Sequence, residues 1–243
     1  MSKLFVIGLG PGNAEGMTSA CRIFIERADI VVGYTKYIEL IKPLYPEKPT
    51  FATPMLGEVE RCKKAIELAA EGHTVAVVCS GDAGVYGMAG LVLELSEEHV
   101  DVEIEIVPGV TAALAGASLL GAPLTHDFAV ISLSDLLTPW EIIENRLTCA
   151  AMGDFCIALY NPSSKKRADY LGKACDILLA HKPSDTLCGM ARNVGREGES
   201  TALMTLGELR SAKVDMFTTV FIGNVQTREI KGKMVTPRGY KIG

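Results

Sequence analysis

Short apolar runs that end in glycine alternate with amphipathic segments through the first half of the chain. The runs are LFVIG, DIVVG, TVAVVCSG and VEIEIVPG, and they are rich in β-branched and aromatic residues, as strands are. Between them, Glu58 to Glu71 carries apolar residues at helical spacing and stops at Gly72. This alternation predicts parallel strands joined by crossover helices.

A second series of elements begins near Phe128. It runs through the segments FAVISL, PWEIIENRLTCAA, DFCIALYNP, ADYLGKACDILLAH and TLCGMA. The closely spaced runs STALMTL, FTTVFIGN and REIKGKMVTP follow, and they predict strands that are antiparallel in part. The small-residue segment 109–127 separates the two series. We therefore predict an α/β protein of two domains, residues 1–115 with a mostly parallel sheet and residues 116–243 with a mixed sheet.

Composition and charge exclude several classes of protein. The net charge of −5 makes nonspecific binding to nucleic acid or to an anionic membrane unexpected. No apolar stretch is long enough to span a membrane or to serve as a signal peptide. The seven cysteines have no CxxC spacing and the four histidines are isolated, so we predict reduced thiols, no protein-bound metal and a cytoplasmic location.

The first glycine turn, GLGPG, has the spacing GxGxG at Gly8, Gly10 and Gly12. A dinucleotide-binding turn requires GxGxxG at a helix N-terminus, with an acidic residue after the second strand. Pro11 removes one backbone N–H donor, and no acidic residue closely follows DIVVG. The turn alone leaves open a tight connection that binds no ligand.

The second glycine cluster, CSGDAGVYGMAG, carries glycine at every third position. Gly81 and Gly84 suit a loop whose backbone passes close to a ligand or turns sharply. Gly87 and Gly90 are predicted inside the next helix, where each costs about 1 kcal/mol relative to alanine, and we expect close backbone packing to offset that cost. Asp82 either caps the following helix or forms an Asx-turn, or its carboxylate faces a ligand at the carboxyl end of a strand.

The motifs GLGPG, SGDAGVYGMAG and VPGVTA together resemble the tetrapyrrole (corrin/porphyrin) methylases, and the resemblance covers essentially the whole chain. The segments HDFAVISLSDLLTPWEIIENRL, YNPSSKKR and MVTPRGY narrow it to members that methylate carbon 17 of precorrin-3B or cobalt-precorrin-3, with ring contraction, in cobalamin biosynthesis. The resemblance implies two αβα domains, usually in a homodimer, with S-adenosylmethionine in the cleft between the domains and S-adenosylhomocysteine as product. It leaves open whether the substrate carries cobalt or is metal-free.

The resemblance also implies a set of cofactor contacts, carried over motif by motif. These are Pro11, Gly81, Asp82, Val85, Thr111, Ala112, Tyr160, Asn161, Arg192, Asn193, Thr236 and Pro237. No phosphate faces GLGPG in this interpretation, so the donor missing at Pro11 is not needed.

Ring contraction involves proton transfers, and the segment THDFAVISLSDLL carries the candidates for them. We predict His126, Ser132 and Asp135 as candidate catalytic residues, with Asp127 and Ser134 beside them. Each has a structural alternative, because His126 with Asp127 also forms a common turn pair and Asp135 also suits a helix cap.

The substrate is expected to be an apolar macrocycle that bears several carboxylates. Lys165, Lys166 and Arg167 are candidate contacts for those carboxylates, because three cations at a predicted helix N-terminus oppose the usual preference for acidic residues there. The alternative is an ordinary solvated run of charge.

Other functions on the same scaffold stay open. The enzyme alternatives are a sister methylase that acts at another ring carbon and diphthine synthase. The alternative from another class is a ligand-binding module without catalysis.

Overall fold

The computed structural model describes residues 2–164 and 167–241, and the chain divides into two compact units. Unit 1 is Met1–Ala112 and unit 2 is Ala113–Gly243. The predicted domain boundary, after residue 115, falls inside the helix Ala112–Leu120.

Unit 1 alternates strands and helices along the chain. Its elements are β1 (Ser2–Gly8), α1 (Ser19–Arg27), β2 (Ile30–Tyr34), α2 (Thr35–Ile41), β3 (Thr50–Thr53), α3 (Glu58–Ala70), β4 (Thr74–Cys79), α4 (Ala89–Leu95) and β5 (Val102–Val107). The five strands form one sheet in the order β3-β2-β4-β1-β5, and all of its pairs are parallel. The predicted parallel sheet is confirmed, and β3 is a strand that the sequence analysis missed.

The inner strands β1, β2 and β4 of the unit 1 sheet are buried on both faces, which explains why they are nearly continuous apolar runs. Along β1, Leu4 and Val6 pack with residues of α3 and α4, whereas Phe5 and Ile7 pack with residues of α1 and α2. Unit 1 is therefore a helix–sheet–helix sandwich.

Unit 2 contains two sheets. Its elements are α5 (Ala112–Leu120), β6 (Gly121–Ala122), β7 (Phe128–Ser132), α6 (Trp140–Met152), β8 (Cys156–Tyr160), α7 (Tyr170–Leu179), β9 (Leu187–Arg192), β10 (Ser200–Thr205), α8 (Leu206–Leu209), β11 (Thr218–Ile222), β12 (Arg228–Ile230) and β13 (Lys233–Val235). The larger sheet has the order β10-β9-β11-β8-β7, with β7 and β8 parallel and the other pairs antiparallel. The predicted mixed sheet is confirmed. A small sheet, β12-β13-β6, was not predicted.

The larger sheet of unit 2 is also covered on both faces. Ile157 and Leu159 of β8 pack with residues of α6, α7 and α8. Ala158 faces the other way and packs with α5 and with Met234 of the small sheet. The strand register places the last residues of β7, β8 and β9 at one edge, because Ser132 pairs with Tyr160 and β9 runs parallel to β8.

The glycine series in unit 1 differs from its prediction. Helix α4 begins at Ala89, so Gly87 lies before the helix, where an added Cβ would lie 2.4 Å from the Ala83 carbonyl oxygen. Gly90 is inside the helix and exposed, and apart from its chain neighbours and the adjacent helix backbone no described atom lies within 4 Å of an added Cβ there. The predicted close packing therefore applies at Gly87 and is wrong at Gly90.

The helices of both units are short relative to the thickness of a bilayer. None of those in residues 2–164 and 167–241 has both the length and the apolar character that a membrane span requires.

Candidate functional site

Three loops converge where the strands of unit 1 end, and we call this the carboxyl edge of unit 1. The Leu9 amide donates to the Cys79 carbonyl at 2.8 Å. Gly10 and Gly81 then exchange two backbone hydrogen bonds, at 3.0 and 2.8 Å. The turns after β1 and β4 are thus joined beyond the ends of the strands themselves.

Glycine is required at two further positions because the backbones lie so close. An added Cβ at Gly8 would lie 2.6 Å from the Gly81 carbonyl oxygen, and one at Gly109 would lie 2.1 Å from the same atom. Both distances are far shorter than a carbon–oxygen contact permits. The sequence analysis quoted these glycines without predicting that they pack against each other.

Asp82 has two hydrogen bonds at the same edge. One carboxylate oxygen accepts from the Gly84 amide at 2.8 Å, and the other accepts from the Gly109 amide at 3.0 Å. The first bond is the Asx-turn that the sequence left open. The second joins the loop after β4 to the loop after β5, so Asp82 fixes the loop geometry.

The unit 1 residues that were predicted to contact the cofactor all belong to these loops or to the first residue of α5. They are Pro11, Gly81, Asp82, Val85, Thr111 and Ala112. Gly81 has φ of +68°, and an added Cβ would be 3.6 Å from the Thr111 Cα, an ordinary contact distance. The glycine loops thus offer turn backbone and the Asp82 carboxylate, which suits a cationic sulfonium ligand.

A dinucleotide site fits this edge poorly. Helix α1 begins at Ser19, well after Gly12, and the Thr18 hydroxyl caps it by accepting from the Cys21 amide at 3.0 Å. A pyrophosphate turn instead opens directly into its helix, whose free N–H groups bind the phosphates. The GLGPG turn has no such helix N-terminus beside it.

Predicted residues also meet where β7, β8 and β9 end, which we call the carboxyl edge of unit 2. The Tyr160 hydroxyl accepts from the Ala113 amide at 2.6 Å, and Asn161 and Asn193 both adopt left-handed backbone, with φ of 53° and 51°. Arg192 pairs with Asp215 at 2.7 Å. Four predicted cofactor residues of unit 2 therefore lie at one edge of its sheet.

Thr236 lies elsewhere in unit 2. It is fully buried, and its hydroxyl contacts the Pro123 carbonyl at 2.7 Å, the Thr227 hydroxyl at 2.7 Å and the Cys156 Sγ at 3.4 Å. Cys156 begins β8, whereas Tyr160 ends it. The structure thus places the Thr236 side chain, with Pro237 next to it in the chain, away from the edge that Tyr160 occupies.

The predicted catalytic residues also lie at the two opposite edges of the larger sheet of unit 2. His126 lies two residues before β7 and Ser132 ends it, and the strand between them spans about 13 Å at about 3.3 Å per residue. The His126 Nδ1 accepts from the Asp127 amide at 2.9 Å, as in the turn pair that the sequence left open. His126 therefore belongs to the opposite edge of the sheet.

Ser132 and Asp135 lie in a hydrogen-bonded network at the carboxyl edge of unit 2. The Ser132 Oγ accepts from the Asn161 side-chain amide at 2.9 Å and from the Ser134 amide at 3.2 Å. Asp135 accepts from the Tyr170 hydroxyl at 2.5 Å and from Arg167 at 3.2 Å.

The network perturbs the titration of its two acidic groups. The hydrogen bond from Tyr170 and the charge of Arg167 lower the pKa of Asp135 below its usual range, and the same hydrogen bond raises the pKa of Tyr170. Asp135 is thus ionised near neutral pH, which suits an electrostatic role and disfavours proton donation, and the lowered pKa also makes the carboxylate a weaker proton acceptor.

Arg167 has partners within unit 2, whereas its two neighbours lie outside the described residues. Its guanidinium donates to the Ser134 hydroxyl at 2.8 Å and to the Ser164 hydroxyl at 3.1 Å, in addition to Asp135. Nothing is assigned to Lys165 and Lys166. Among the residues that the structure describes, no group of His, Cys, Asp and Glu has the arrangement of a metal site.

Both the sequence and the fold are similar to those of known proteins. The family model of the tetrapyrrole (corrin/porphyrin) methylases matches residues 3–210. A probable cobalt-factor III C(17)-methyltransferase of Salmonella typhimurium is 50% identical over 240 residues, which is 98% of this chain and 100% of that protein. A precorrin-3B C(17)-methyltransferase of Sinorhizobium sp is 41% identical over 246 residues, 98% of this chain and 96% of that protein. The crystal structure of the methyltransferase CobJ matches with a TM-score of 0.90 and 39% identity, over 98% of this chain and 100% of that chain. This chain therefore belongs to the tetrapyrrole (corrin/porphyrin) methylase family.

Proposed function

We propose that this protein is an S-adenosylmethionine-dependent methyltransferase that methylates carbon 17 of precorrin-3B or of its cobalt-containing counterpart, with ring contraction. The observation that carries the proposal is the similarity, over nearly the full length, to two proteins named as C(17)-methyltransferases. The converging glycine loops of unit 1 support it, because they offer a turn surface that fits a sulfonium ligand and lacks the features of a phosphate site.

The residues of the chain act mainly by holding the reactants. S-adenosylmethionine, when bound, supplies the methyl group from a sulfonium, and no nucleophile on the protein is needed. In unit 1, the Gly10–Gly81 backbone pair and the Asp82 bridge keep the loops fixed, so that a bound molecule keeps one orientation. In unit 2, we propose Tyr160, Asn161, Arg192 and Asn193 as further contacts.

The experiment that tests this function is incubation of the purified protein with S-adenosylmethionine and either the metal-free or the cobalt-bearing substrate. Mass spectrometry is expected to detect one added methyl group, and NMR of the labelled product is expected to place it on carbon 17. A methyl group on another ring carbon would point to a sister methylase. Binding of S-adenosylhomocysteine without any methylated product would point to a ligand-binding module.

We further propose that Lys165 and Lys166 attract substrate carboxylates, whereas Arg167 acts by holding Ser134 and Asp135. The double variant Lys165→Glu/Lys166→Glu is expected to raise the KM for the substrate and to flatten its dependence on salt. The control Lys63→Glu/Lys64→Glu makes the same change of charge on α3. An equal rise of KM in both variants would show that the change in net charge causes the effect, and would contradict a specific role of Lys165 and Lys166.

We also propose that the protein forms a homodimer and is located in the cytoplasm. Light scattering of the purified protein is expected to give twice the chain mass of 26.0 kDa. Cell fractionation tests the location, and recovery of the protein in a membrane or secreted fraction would contradict it.

A further inference from the structure

Unit 1 contains a buried arginine that has only neutral partners. Arg61, on the first turns of α3, is 3% exposed. Its Nε donates to the Thr53 hydroxyl at 3.0 Å, one terminal nitrogen donates to the Pro54 carbonyl at 3.2 Å, and the other lies 3.8 Å from the Met88 sulfur. The ion pairs of the described chain do not include Arg61, and burying a cation without an anionic partner opposes folding.

The first loop that Arg61 holds is the turn Thr53–Gly57 after β3. The Gly57 amide donates to the Pro54 carbonyl at 3.3 Å, and the Arg61 amide donates to the Gly57 carbonyl at 2.9 Å. At the tip of this turn, Leu56 has φ of +69° and is 77% exposed. A bulky apolar residue is thus held in a disfavoured conformation with its side chain in solvent.

The second loop, Ala83–Met88, also holds a bulky, exposed residue at positive φ. Tyr86 has φ of +54° and is 55% exposed, and Met88, which contacts Arg61, ends the loop just before α4. Of the other described non-glycine residues with positive φ, Asp154, Asn161 and Asn193 are of types that tolerate this region better, and Lys231 is charged. Leu56 and Tyr86 are therefore the aliphatic and the aromatic residue that the described backbone holds there, and Arg61 contacts both of their loops.

Both loops lie at the carboxyl edge of unit 1, where open parallel sheets bind ligands. The strands β3 and β4 end at Thr53 and Cys79, and only β2 separates them in the sheet. Arg61 donates to the Thr53 hydroxyl and the Pro54 carbonyl of one loop and lies 3.8 Å from the Met88 sulfur of the other. A buried positive charge thus lies beside the two loops that carry the exposed Leu56 and Tyr86 side chains.

This combination complements one kind of molecule, an apolar ring that bears carboxylates. We propose that Leu56 and Tyr86 contact the apolar face of the tetrapyrrole substrate, and that Arg61 is the positioning residue that fixes both loops and favours the substrate's negative charge. The inference rests on the proposed function and assigns to unit 1 a set of substrate contacts in the turn after β3 and at Tyr86, which follows the predicted cofactor contact Val85 in the loop after β4.

The first test is Leu56→Asn. Asparagine accepts left-handed backbone, so the turn keeps its conformation and only the apolar side chain is lost. We expect the KM for the substrate to rise at least fivefold, with S-adenosylhomocysteine affinity and melting temperature unchanged or raised. The matched control is Val100→Asn, which removes an 89% exposed apolar side chain just before β5, at the opposite edge of the sheet, and we expect it to change neither KM nor stability.

The second test compares Arg61→Met with Arg61→Lys. Methionine fills the space without the buried charge, so we expect the melting temperature to be kept or raised, whereas the substrate KM rises about tenfold or more. Lysine keeps the charge and is expected to recover part of the loss in KM. A residue with only a structural role would instead lower stability and cofactor affinity together, and this result would overturn the proposal.

A binding measurement with uroporphyrin III separates this proposal from the proposed function. This octacarboxylate macrocycle is titrated with each variant and followed by the change in its own visible absorbance, without any methyl transfer. Weaker binding by Leu56→Asn and Arg61→Met supports the proposed substrate contact, whether or not the wild-type protein yields a methylated product. The absence of a methylated product would overturn only the proposed function. Unchanged uroporphyrin binding and unchanged KM in both variants would overturn the proposed contact. Loss of a dimer in Leu56→Asn with an unchanged KM would also overturn it, because the loop would then contact a second copy of the chain.

Discussion

The Asp82 carboxylate accepts a hydrogen bond from the Gly109 amide at 3.0 Å, and this bond joins the loop after β4 to the loop after β5. Asp82→Ala would leave two backbone amides without their acceptor, at a cost of about 1–3 kcal/mol for each one that stays buried. We expect a lower melting temperature and at least a tenfold loss of S-adenosylhomocysteine affinity, measured by calorimetry.

Asp29→Ala is the matched control for that variant. The Asp29 carboxylate accepts from the Thr74 amide at 2.7 Å, at the amino end of β4 in the same sheet. A similar loss of stability with unchanged cofactor affinity is expected. Equal losses of affinity in both variants would mean that Asp82 acts only through global stability.

The packing of glycine backbones predicts contrasting effects for two Gly→Ala variants. In Gly109→Ala the added Cβ would lie 2.1 Å from the Gly81 carbonyl oxygen, so the loops must separate, and both stability and S-adenosylhomocysteine binding are expected to fall sharply. In Gly90→Ala the Cβ meets open space on an exposed helix, and a gain of about 0.5–1 kcal/mol is expected. Urea denaturation measures both, and tolerance of Gly109→Ala would contradict the close approach of the loops.

The Asp135–Tyr170 pair predicts a dependence of stability on pH. Because the folded pKa of Asp135 is lowered, first by the Tyr170 hydrogen bond, its contribution is present above the unfolded pKa and is lost as the pH falls through the folded pKa. Tyr170→Phe is expected to raise the Asp135 pKa toward the ordinary aspartate range, as NMR titration of the carboxyl carbon would report. The stability difference from wild type is expected to be larger at pH 7 than at pH 2. Tyr240→Phe, an exposed tyrosine, is the control.

The separation of His126 from Ser132 by β7 predicts unequal effects on turnover. His126→Ala is expected to keep turnover within about twofold of wild type. Asp135→Asn is expected to lower it on the order of a hundredfold if the carboxylate accepts a proton. Steady-state rates at saturating S-adenosylmethionine measure both. A large loss in His126→Ala alone would contradict this assignment and return the catalytic role to the opposite edge.

The cysteines predict a single accessible thiol in the folded protein. Cys149 is exposed, whereas the other six are buried, and burial raises the pKa of Cys21 and Cys175 to about 12. A thiol reagent is expected to react rapidly once per chain and to reach all seven thiols only after denaturation. Cys149→Ser is expected to remove the rapid phase, and a second rapid thiol would contradict the buried assignment.

Much of this fold was predictable because the signals are local. Runs that end in glycine identified β1, β2 and β4, since strands covered on both faces need continuous apolar sequence. The edge strand β5 was identified by the alternating apolar residues of VEIEIV. The strand β3 was missed because its four residues, TFAT, carry neither a long apolar run nor strict alternation. The pairing of Gly121–Ala122 with β13 was missed because two small residues have no strand signature of their own.

The candidate site was less predictable because it depends on contacts between distant residues. No local sequence pattern indicates that the backbones of Gly8 and Gly109 lie against the Gly81 carbonyl oxygen. This contact forms only because three strands end at the same edge of the sheet. Arg61 follows Glu60 on a helix whose charged residues are mostly exposed, so its burial depends on the turn that it holds. His126 and Ser132 are close in sequence, and an extended strand is what separates them.

The pairing of β13 with β6 has a consequence for synthesis on the ribosome. All five strands of the unit 1 sheet are translated by Val107, so that unit can close its hydrogen bonds while the rest of the chain is still being made. In unit 2, α5 and β8 stay partly uncovered until Met234 and Thr236 emerge to pack with Leu120 and Cys156. Nascent chains stalled before residue 233 should therefore resist protease in the first unit and be cut in the second.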